Sequence, residues 1–124
     1  MPNKILICDD DEGILDLLEL VLTDEGYSVV AELNSVKVSN LIQKEHPDLI
    51  ILDLWMPVTS GDQILKTIRN TPAISELPVI VISASNDGKA IAQEAGATAF
   101  ISKPFDIDEM TGKVNEILSS AQAK

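Results

Sequence analysis

Charged and hydroxyl side chains follow several apolar runs of this sequence, each at the point where the run ends. Asp9 and Asp10 follow the first run, and Asp53 closes the run near the middle of the chain. Ser83 and Lys103 follow two later runs. Carboxylates that lie close together repel one another, so they take up protons or bind a cation. A carboxylate beside a cation, a hydroxyl and an ammonium group is suited to accepting a phosphoryl group.

The apolar runs that precede these side chains are predicted to be buried strands. The run from Leu49 is continuous up to Asp53, and Pro57 stops the segment shortly afterwards. A continuous apolar run of this length is typical of a strand buried on both faces of a parallel sheet. The predicted strands are Lys4–Cys8, Tyr27–Glu32, 49–54, Val79–Ser83 and Ala99–Ser102.

Segments with helical periodicity alternate with these strands. The predicted helices cover about 12–25, 35–45, 61–70, 86–95 and 106–118. Gly26 and Gly96 stand just past two helix ends, where glycine is favoured. Five alternating strands and helices predict an α/β fold, a doubly wound parallel sheet with helices on both faces. We expect one domain over residues 1–124, with a core of about 4–118 and a frayed tail, 119–124.

In such a sheet the carboxyl ends of the strands share one edge, and ligands bind there. The residues that follow the strands are therefore expected to meet at this edge. Oxygen ligands in a cluster of aspartates suit Mg²⁺, which keeps coordination positions for water and phosphate. The alternative for each single aspartate is a turn or helix-cap residue.

These residues also carry a family resemblance. The chain resembles the receiver domain of two-component response regulators from Lys4 to about Leu118. The matching segments are Ile5–Asp10, Asp48–Pro57, Ser83-Ala84, Ala95–Ala97 and Lys103–Phe105. The resemblance implies a flavodoxin-like (βα)5 fold with strand order 2-1-3-4-5. It also implies that Asp53 takes a phosphoryl group from a phosphohistidine, on a histidine kinase or a histidine phosphotransfer protein.

The same resemblance implies roles for the residues around the acceptor. Mg²⁺ would be held by Asp9, Asp10 and Asp53 together with the backbone carbonyl of Trp55. Lys103 would pair with the acceptor and then with the phosphoryl oxygens, and its bond to Pro104 would be cis. An X-Pro bond is where a cis peptide costs least.

The resemblance further implies a switch made of Ser83 and Phe100. Ser83 would move to bond the phosphoryl group, and Phe100 would turn inward to fill the space left behind. Phe100 has no hydroxyl to desolvate, so we hypothesise a bias towards the inward rotamer. The interval between the two residues is shorter than is common in the family, so we expect a short fourth helix. Gly88 and several alanines predict that this helix is lightly packed.

A surface for the phosphoryl donor is predicted beside the acidic pair. The residues that resemble the patch offered to a kinase's helical bundle are Gly13, Ile14, Leu17 and Phe105. The alternative is that Ile14 and Leu17 belong to the core. Leu15 and Leu20 fall off the apolar stripe of the first helix, and we expect them to be exposed instead.

Trp55 stands two positions after the proposed acceptor and is large and apolar. We expect it to shield an acyl phosphate from water, and so predict slow self-dephosphorylation.

Three other classes of protein are alternatives to a phosphorylatable receiver domain. A phosphatase of the haloacid dehalogenase type would need an aspartate at the position of Trp55. A flavodoxin-like electron carrier would need a phosphate-binding loop where Asp9, Asp10 and Asp11 stand. A pseudo-receiver that works without phosphorylation is the remaining alternative. The chain is not expected to be an enzyme.

Composition narrows the range of partners. The net charge is −11, with 20 acidic and 9 basic residues, which disfavours binding to nucleic acid or to anionic membrane. The single cysteine, Cys8, is expected to be a buried thiol in a reducing compartment. No signal peptide or transmembrane run is recognised, so a cytoplasmic protein is expected. Nothing after Leu118 resembles an effector domain, so the output partner is either separate or on a missing domain.

Overall fold

The structure, a computed structural model, describes residues 2–122, with side chains described up to Ser119. Five strands alternate with five helices along the chain. The strands are β1 (Lys4–Cys8), β2 (Ser28–Glu32), β3 (Leu49–Asp53), β4 (Val79–Ser83) and β5 (Ala99–Ser102). The helices are α1 (Glu12–Asp24), α2 (Val38–Glu45), α3 (Gly61–Arg69), α4 (Gly88–Ala95) and α5 (Ile107–Gln122). Short 3₁₀ turns at Ser35–Lys37 and Pro72–Ile74 lie in two of the connections.

All neighbouring strands are parallel, and their order is β2-β1-β3-β4-β5. The doubly wound α/β fold and the strand order expected from the sequence are therefore confirmed. β3 lies in the centre and is buried along its whole length. This position explains its uninterrupted apolar sequence, because a central strand of a parallel sheet meets helices on both faces.

The sheet separates two apolar cores. One face of β3, carrying Ile50 and Leu52, packs with α2, α3 and α4. The opposite face, carrying Leu49 and Ile51, packs with α1 and α5. Side chains of a strand alternate between its faces, so each strand contributes to both cores. Cys8 lies in the first core, fully buried, and burial raises the pKa of its thiol to about 12.

The apolar stripe of α1 differs from the sequence-based expectation. Leu15, Leu18 and Leu22 are the buried residues of the helix, whereas Leu17 is 42% exposed. Leu15 was expected to be exposed, and that prediction is wrong. A spacing of three and then four residues places these three leucines over one another on the face towards β1 and β2. Leu20 is 71% exposed, as expected.

Several element boundaries also differ from the predicted ones. β2 begins at Ser28, because the N–H of Tyr27 still bonds the Leu22 carbonyl at the end of α1. α4 begins only at Gly88. α5 continues through Gln122, past the predicted helix end at about residue 118. The sequence there contains alanine and glutamine and no glycine or proline that would end a helix. Residues 123 and 124 of the predicted tail lie outside the described residues.

Within residues 2–122, none of the helices combines the length and the apolar character that crossing a membrane requires.

Candidate functional site

Four of the predicted site residues lie at the carboxyl edge of the sheet. Asp53 is the last residue of β3 and Ser83 the last of β4, while Asp9 and Lys103 directly follow β1 and β5. The backbone fixes these ends in register: the Lys103 N–H donates to the Ser83 carbonyl at 2.9 Å. The Leu54 N–H likewise donates to a β4 carbonyl at 2.9 Å. The parallel sheet therefore brings together residues that are far apart in sequence.

Lys103 lies between two carboxylates of this edge. Its Nζ is 3.0 Å from Oδ1 of Asp53, to which it donates a hydrogen bond, and 3.1 Å from Oδ2 of Asp9. Asp9 is fully buried, and Asp53 is 5% exposed. Oδ1 of Asp9 accepts the Asp11 N–H at 2.9 Å. Oδ2 of Asp9 has the ion pair with Lys103 as its polar contact and no further hydrogen bond among the described residues. One ammonium shared between two buried carboxylates compensates Asp9 only in part, so this oxygen is suited to a further ligand.

Burial and charge shift the pKa values of these groups. Burial raises the pKa of Asp53 to about 6, against the opposing effect of its hydrogen bond from Lys103. Burial also raises the pKa of Asp9. Burial alone would lower the pKa of Lys103, but its bonds to Asp53 and Asp9 outweigh this effect and raise it. The ammonium group therefore stays charged, while the carboxylates are held in a site that has too little positive charge.

A cation would supply the missing charge. One carboxylate oxygen from each of Asp9, Asp10 and Asp53 lies within 4.8 Å of the others. Three carboxylates against the single ammonium of Lys103 leave a deficit of two positive charges. A hard divalent ion with oxygen ligands fits both this charge and the Oδ2 atom of Asp9, which shares the Lys103 ammonium with Asp53. Asp11 has a different role, because its Oδ1 caps α1 by accepting the N–H groups of Gly13 and Ile14.

The β3–α3 loop directly follows Asp53, and two residues that hold this loop in place were missed from the sequence. Ser35, which is buried, donates its hydroxyl to the Pro57 carbonyl at 2.9 Å and accepts the Thr59 N–H at 3.3 Å. A Cβ on Gly61 would lie 2.4 Å from the Asp53 carbonyl oxygen. A glycine in the first turn of a helix is a poor helix former, and this was the available signal for a close approach. Trp55, on the same loop, is 51% exposed.

The two predicted switch residues lie on the face of the sheet that packs against α2, α3 and α4. Ser83 is 1% exposed, and its Oγ accepts the Ser85 N–H at 3.0 Å. This bond uses a lone pair of the hydroxyl and leaves its O–H donor for another partner. Phe100 is half-buried and packs against the core formed with α2, α3 and α4. The structure thus brings Ser83 and Phe100 into the same neighbourhood, beside the start of α4.

A shallow apolar groove of about 400 Å³ opens beside Lys103. Its lining residues are Ile14, Leu17, Ala84, Lys103, Pro104 and Phe105. Three members of the predicted partner surface therefore share one concavity, and Gly13 is exposed at the start of the same helix. Leu17 is not a core residue, which was the alternative, whereas Ile14 packs partly against the core. The Lys103–Pro104 peptide bond is cis.

Known proteins are similar to this chain in sequence. Sporulation initiation phosphotransferase F of Bacillus subtilis (strain 168) is 38% identical over 121 residues, 95% of each chain. Transcriptional regulatory protein KdpE of Staphylococcus aureus (strain NCTC 8325 / PS 47) is 36% identical over 119 residues. That match covers 94% of this chain and 50% of KdpE, so the chain spans about half the length of this relative.

The fold has a counterpart among solved structures as well. The signal receiver domain of a signal transduction histidine kinase from Syntrophus aciditrophicus matches with a TM-score of 0.91 and 26% identity. The match covers 98% of this chain and 94% of that one. The family model of the response regulator receiver domain matches residues 5–115, which includes every residue of the site. The chain therefore belongs to the response regulator receiver domains, a family of phosphorylatable signalling modules.

Proposed function

We propose that Asp53 is the residue that accepts the phosphoryl group. The observation that carries this proposal is its position: a buried carboxylate at a strand end, hydrogen-bonded to Lys103 at 3.0 Å, with two further aspartates beside it. A carboxylate oxygen of Asp53 attacks the phosphorus of a phosphohistidine, so an O–P bond forms and the P–N bond breaks. The imidazole leaves, and the product is an acyl phosphate on Asp53.

The ammonium of Lys103 stabilises this product. Its Nζ already bonds one oxygen of Asp53, and a short displacement brings it to a phosphoryl oxygen. Charge-assisted hydrogen bonds of this type are the stronger ones in proteins. The contact of Lys103 with Asp9 keeps the ammonium at the pocket when the acceptor oxygen is esterified.

Mg²⁺ is the proposed cofactor. Asp9, Asp10 and Asp53 would hold it together with the backbone carbonyl of Trp55, and the clustering of three carboxylates around one ammonium supports this assignment. When bound, Mg²⁺ supplies positive charge that offsets repulsion between the carboxylates and the incoming phosphoryl oxygens. Asp10 is exposed and is thus the ligand that solvent and the phosphoryl donor reach first.

Ser83 and Phe100 are the proposed readout. The O–H of Ser83 is free to donate to a phosphoryl oxygen, and Phe100 borders the space beside it. A local hydrogen bond of this kind changes the output surface by biasing a two-state element. Self-phosphorylation from small donors and slow self-dephosphorylation are the only reactions we assign to the chain.

The proposed donor surface is the groove beside Lys103, together with Gly13. A histidine kinase or histidine phosphotransfer protein that docks there would bring its phosphohistidine over Asp53. We propose that residues 1–124 act as one unit in the cytoplasm and signal by protein docking. Direct contact with nucleic acid or membrane is disfavoured by the net charge of −11.

The test is incubation with acetyl phosphate, or with beryllofluoride as a phosphoryl mimic, in the presence of Mg²⁺. Intact mass should show one phosphoryl adduct on the wild type and none on Asp53→Asn. Lys103→Gln tests the counter-charge separately and is expected to lower the yield of the adduct strongly. A wild type that remains unmodified under these conditions, or an adduct that survives in Asp53→Asn, contradicts the assignment.

A further inference from the structure

The start of α4 touches both proposed switch residues, and it does so at a glycine. Gly88 is the first residue of the helix and is buried. A Cβ placed on it would lie 2.9 Å from both Cβ and Oγ of Ser83, and 3.3 Å from Cε1 of Phe100. Carbon atoms that are not bonded pack at about 3.5–4.0 Å. There is no room at position 88 for any side chain, so this helix start is not lightly packed, contrary to the sequence-based expectation.

The backbone around Gly88 leaves Ser83 little freedom on this side. Ser83 Oγ accepts the Ser85 N–H at 3.0 Å, and the Gly88 N–H donates to the Ser85 carbonyl at 3.3 Å. The β4–α4 turn therefore wraps around the serine side chain, with Gly88 closing the turn. Phe100 reaches the same place from β5, where it pairs with Val81 of β4.

We propose that Gly88 is a positioning residue of the switch. Because it has no side chain, Ser83, Phe100 and the start of α4 lie in direct contact there, and a movement of one changes the space available to the others. The proposal rests on the function proposed above for Ser83 and Phe100. When the Ser83 hydroxyl turns towards a phosphoryl oxygen on Asp53, space opens beside the Gly88 Cα. The ring edge of Phe100 already borders that point, so it is the group placed to enter.

A methyl group at position 88 would occupy this space whether or not Asp53 is phosphorylated. Gly88→Ala should therefore separate phosphoryl acceptance at Asp53 from the structural response of Phe100 and α4. Phosphoryl acceptance depends on Asp53 and its charged neighbours and should persist. The response of Phe100 and α4 should be lost.

The first measurement tests the contact itself in the unmodified protein. Urea unfolding is compared for Gly88→Ala, Ser83→Gly and the double variant. Gly88→Ala should lower the unfolding midpoint, and Ser83→Gly should remove most of that loss because it deletes the two atoms at 2.9 Å. Gly112→Ala is the matched control, since nothing lies within 4 Å of the added Cβ there. Additive effects of the two substitutions, or a Gly88→Ala variant as stable as the wild type, would overturn the proposal.

The second measurement tests the coupling. Ring resonances of Phe100 and backbone resonances of α4 are followed by NMR as beryllofluoride and Mg²⁺ are added. These resonances should shift in the wild type and in Gly112→Ala. They should stay unchanged in Gly88→Ala, although intact mass should show that this variant still accepts a phosphoryl group from acetyl phosphate. If Gly88→Ala destabilises the fold too far at room temperature, both variants and the wild type are compared at a lower temperature at which Gly88→Ala is folded.

The outcomes separate the two proposals. A wild type that takes up neither phosphate nor beryllofluoride defeats the proposed function, and the switching role of Gly88 falls with it. A wild type that is modified while Gly88→Ala shows the same resonance shifts defeats only the role of Gly88.

Discussion

The two faces of the sheet meet at the edge that holds the site, and different forces build the site on each. On the side of α1 and α5, Asp9, Asp53 and Lys103 are connected by ion pairs at 3.0 and 3.1 Å. On the side of α4, Ser83 and Phe100 meet around a missing Cβ. One half of the site is held by charge, and the other by close packing.

The difference matters because the two forces fall off differently with distance. Coulomb attraction between Lys103 and its carboxylates changes gradually when an atom moves by a few tenths of an ångström. Close packing has no such tolerance, since an added atom must displace its neighbours. We therefore expect the charged half to respond in proportion to what is bound, and the packed half to respond almost as an all-or-none contact.

The largest effect is predicted for Gly61→Ala, directly beneath the acceptor. Its Cβ would lie 2.4 Å from the backbone oxygen of Asp53 and 2.9 Å from Cα of Leu54. Because these are backbone atoms of the central strand and its loop, neither can move aside easily. We expect a loss of about 3 kcal/mol in the free energy of unfolding, measured in urea, and slower phosphorylation of Asp53.

Gly26→Ala is the control for this prediction. Gly26 has a φ of 98°, but nothing lies within 4 Å of an added Cβ. Its substitution should cost only the backbone strain of a left-handed residue, about 1 kcal/mol. Equal losses in the free energy of unfolding for Gly61→Ala and Gly26→Ala would show that the close contacts beneath Asp53 add no cost. The proposed difference between close packing and charge would then be wrong.

The second-largest effect is predicted for the charged half of the site. Mg²⁺ at about 100 times its dissociation constant should stabilise the fold by about 2.7 kcal/mol, because it binds only the folded site. Thermal unfolding in increasing MgCl₂ measures this. Asp10→Asn should abolish most of the gain, since it removes one of the three clustered carboxylates.

Asp11→Asn is the matched control, one position along the chain. Asp11 caps α1 through its Oδ1, and asparagine is an equally good cap. This variant should keep the full response to Mg²⁺. If both variants lose the response equally, the effect comes from net charge around the pocket and not from coordination.

The same contrast explains what could be predicted from the sequence. Asp9, Asp53 and Lys103 were identifiable because their chemistry is carried by the residue type, and because parallel strands align their ends at one edge. The strand order also followed from the family resemblance. Gly61 and Gly88 each stand at the start of a helix, where glycine indicates a close approach, but the sequence could not show which atoms their Cα atoms lie against.

Helix faces show a second limit. The choice between Leu15 and Leu17 as the buried residue of α1 depends on how the helix is rotated against the sheet, and several leucines in a row suit more than one rotation. The exposure of Leu17, which is 42% and lies beside the groove, therefore had to come from the structure and not from the sequence pattern.

A kinetic effect of intermediate size is predicted at Trp55. Its side chain is 51% exposed on the loop that follows the acceptor. Replacing it by an amide that can orient water, as in Trp55→Asn, should speed self-dephosphorylation by up to about tenfold, or about 1.4 kcal/mol in the barrier. The decay of phosphorylated protein followed by intact mass measures it. Trp55→Phe, which keeps an apolar ring, should decay at nearly the wild-type rate. A Trp55→Asn variant that decays no faster than the wild type would contradict shielding by the ring.

The smallest effect is a gain in stability, predicted for Gly112→Ala. Gly112 is exposed within α5, between the buried residues Met110 and Val114, and nothing lies within 4 Å of an added Cβ. Alanine at an open helix position is favoured over glycine by about 1 kcal/mol, so the unfolding midpoint should rise by about 4 °C. Phosphorylation of Asp53 should be unchanged, because the residue touches neither half of the site. A loss of stability would mean that α5 tolerates no more bulk than α4 does, and that glycines on both faces of the sheet mark close contacts.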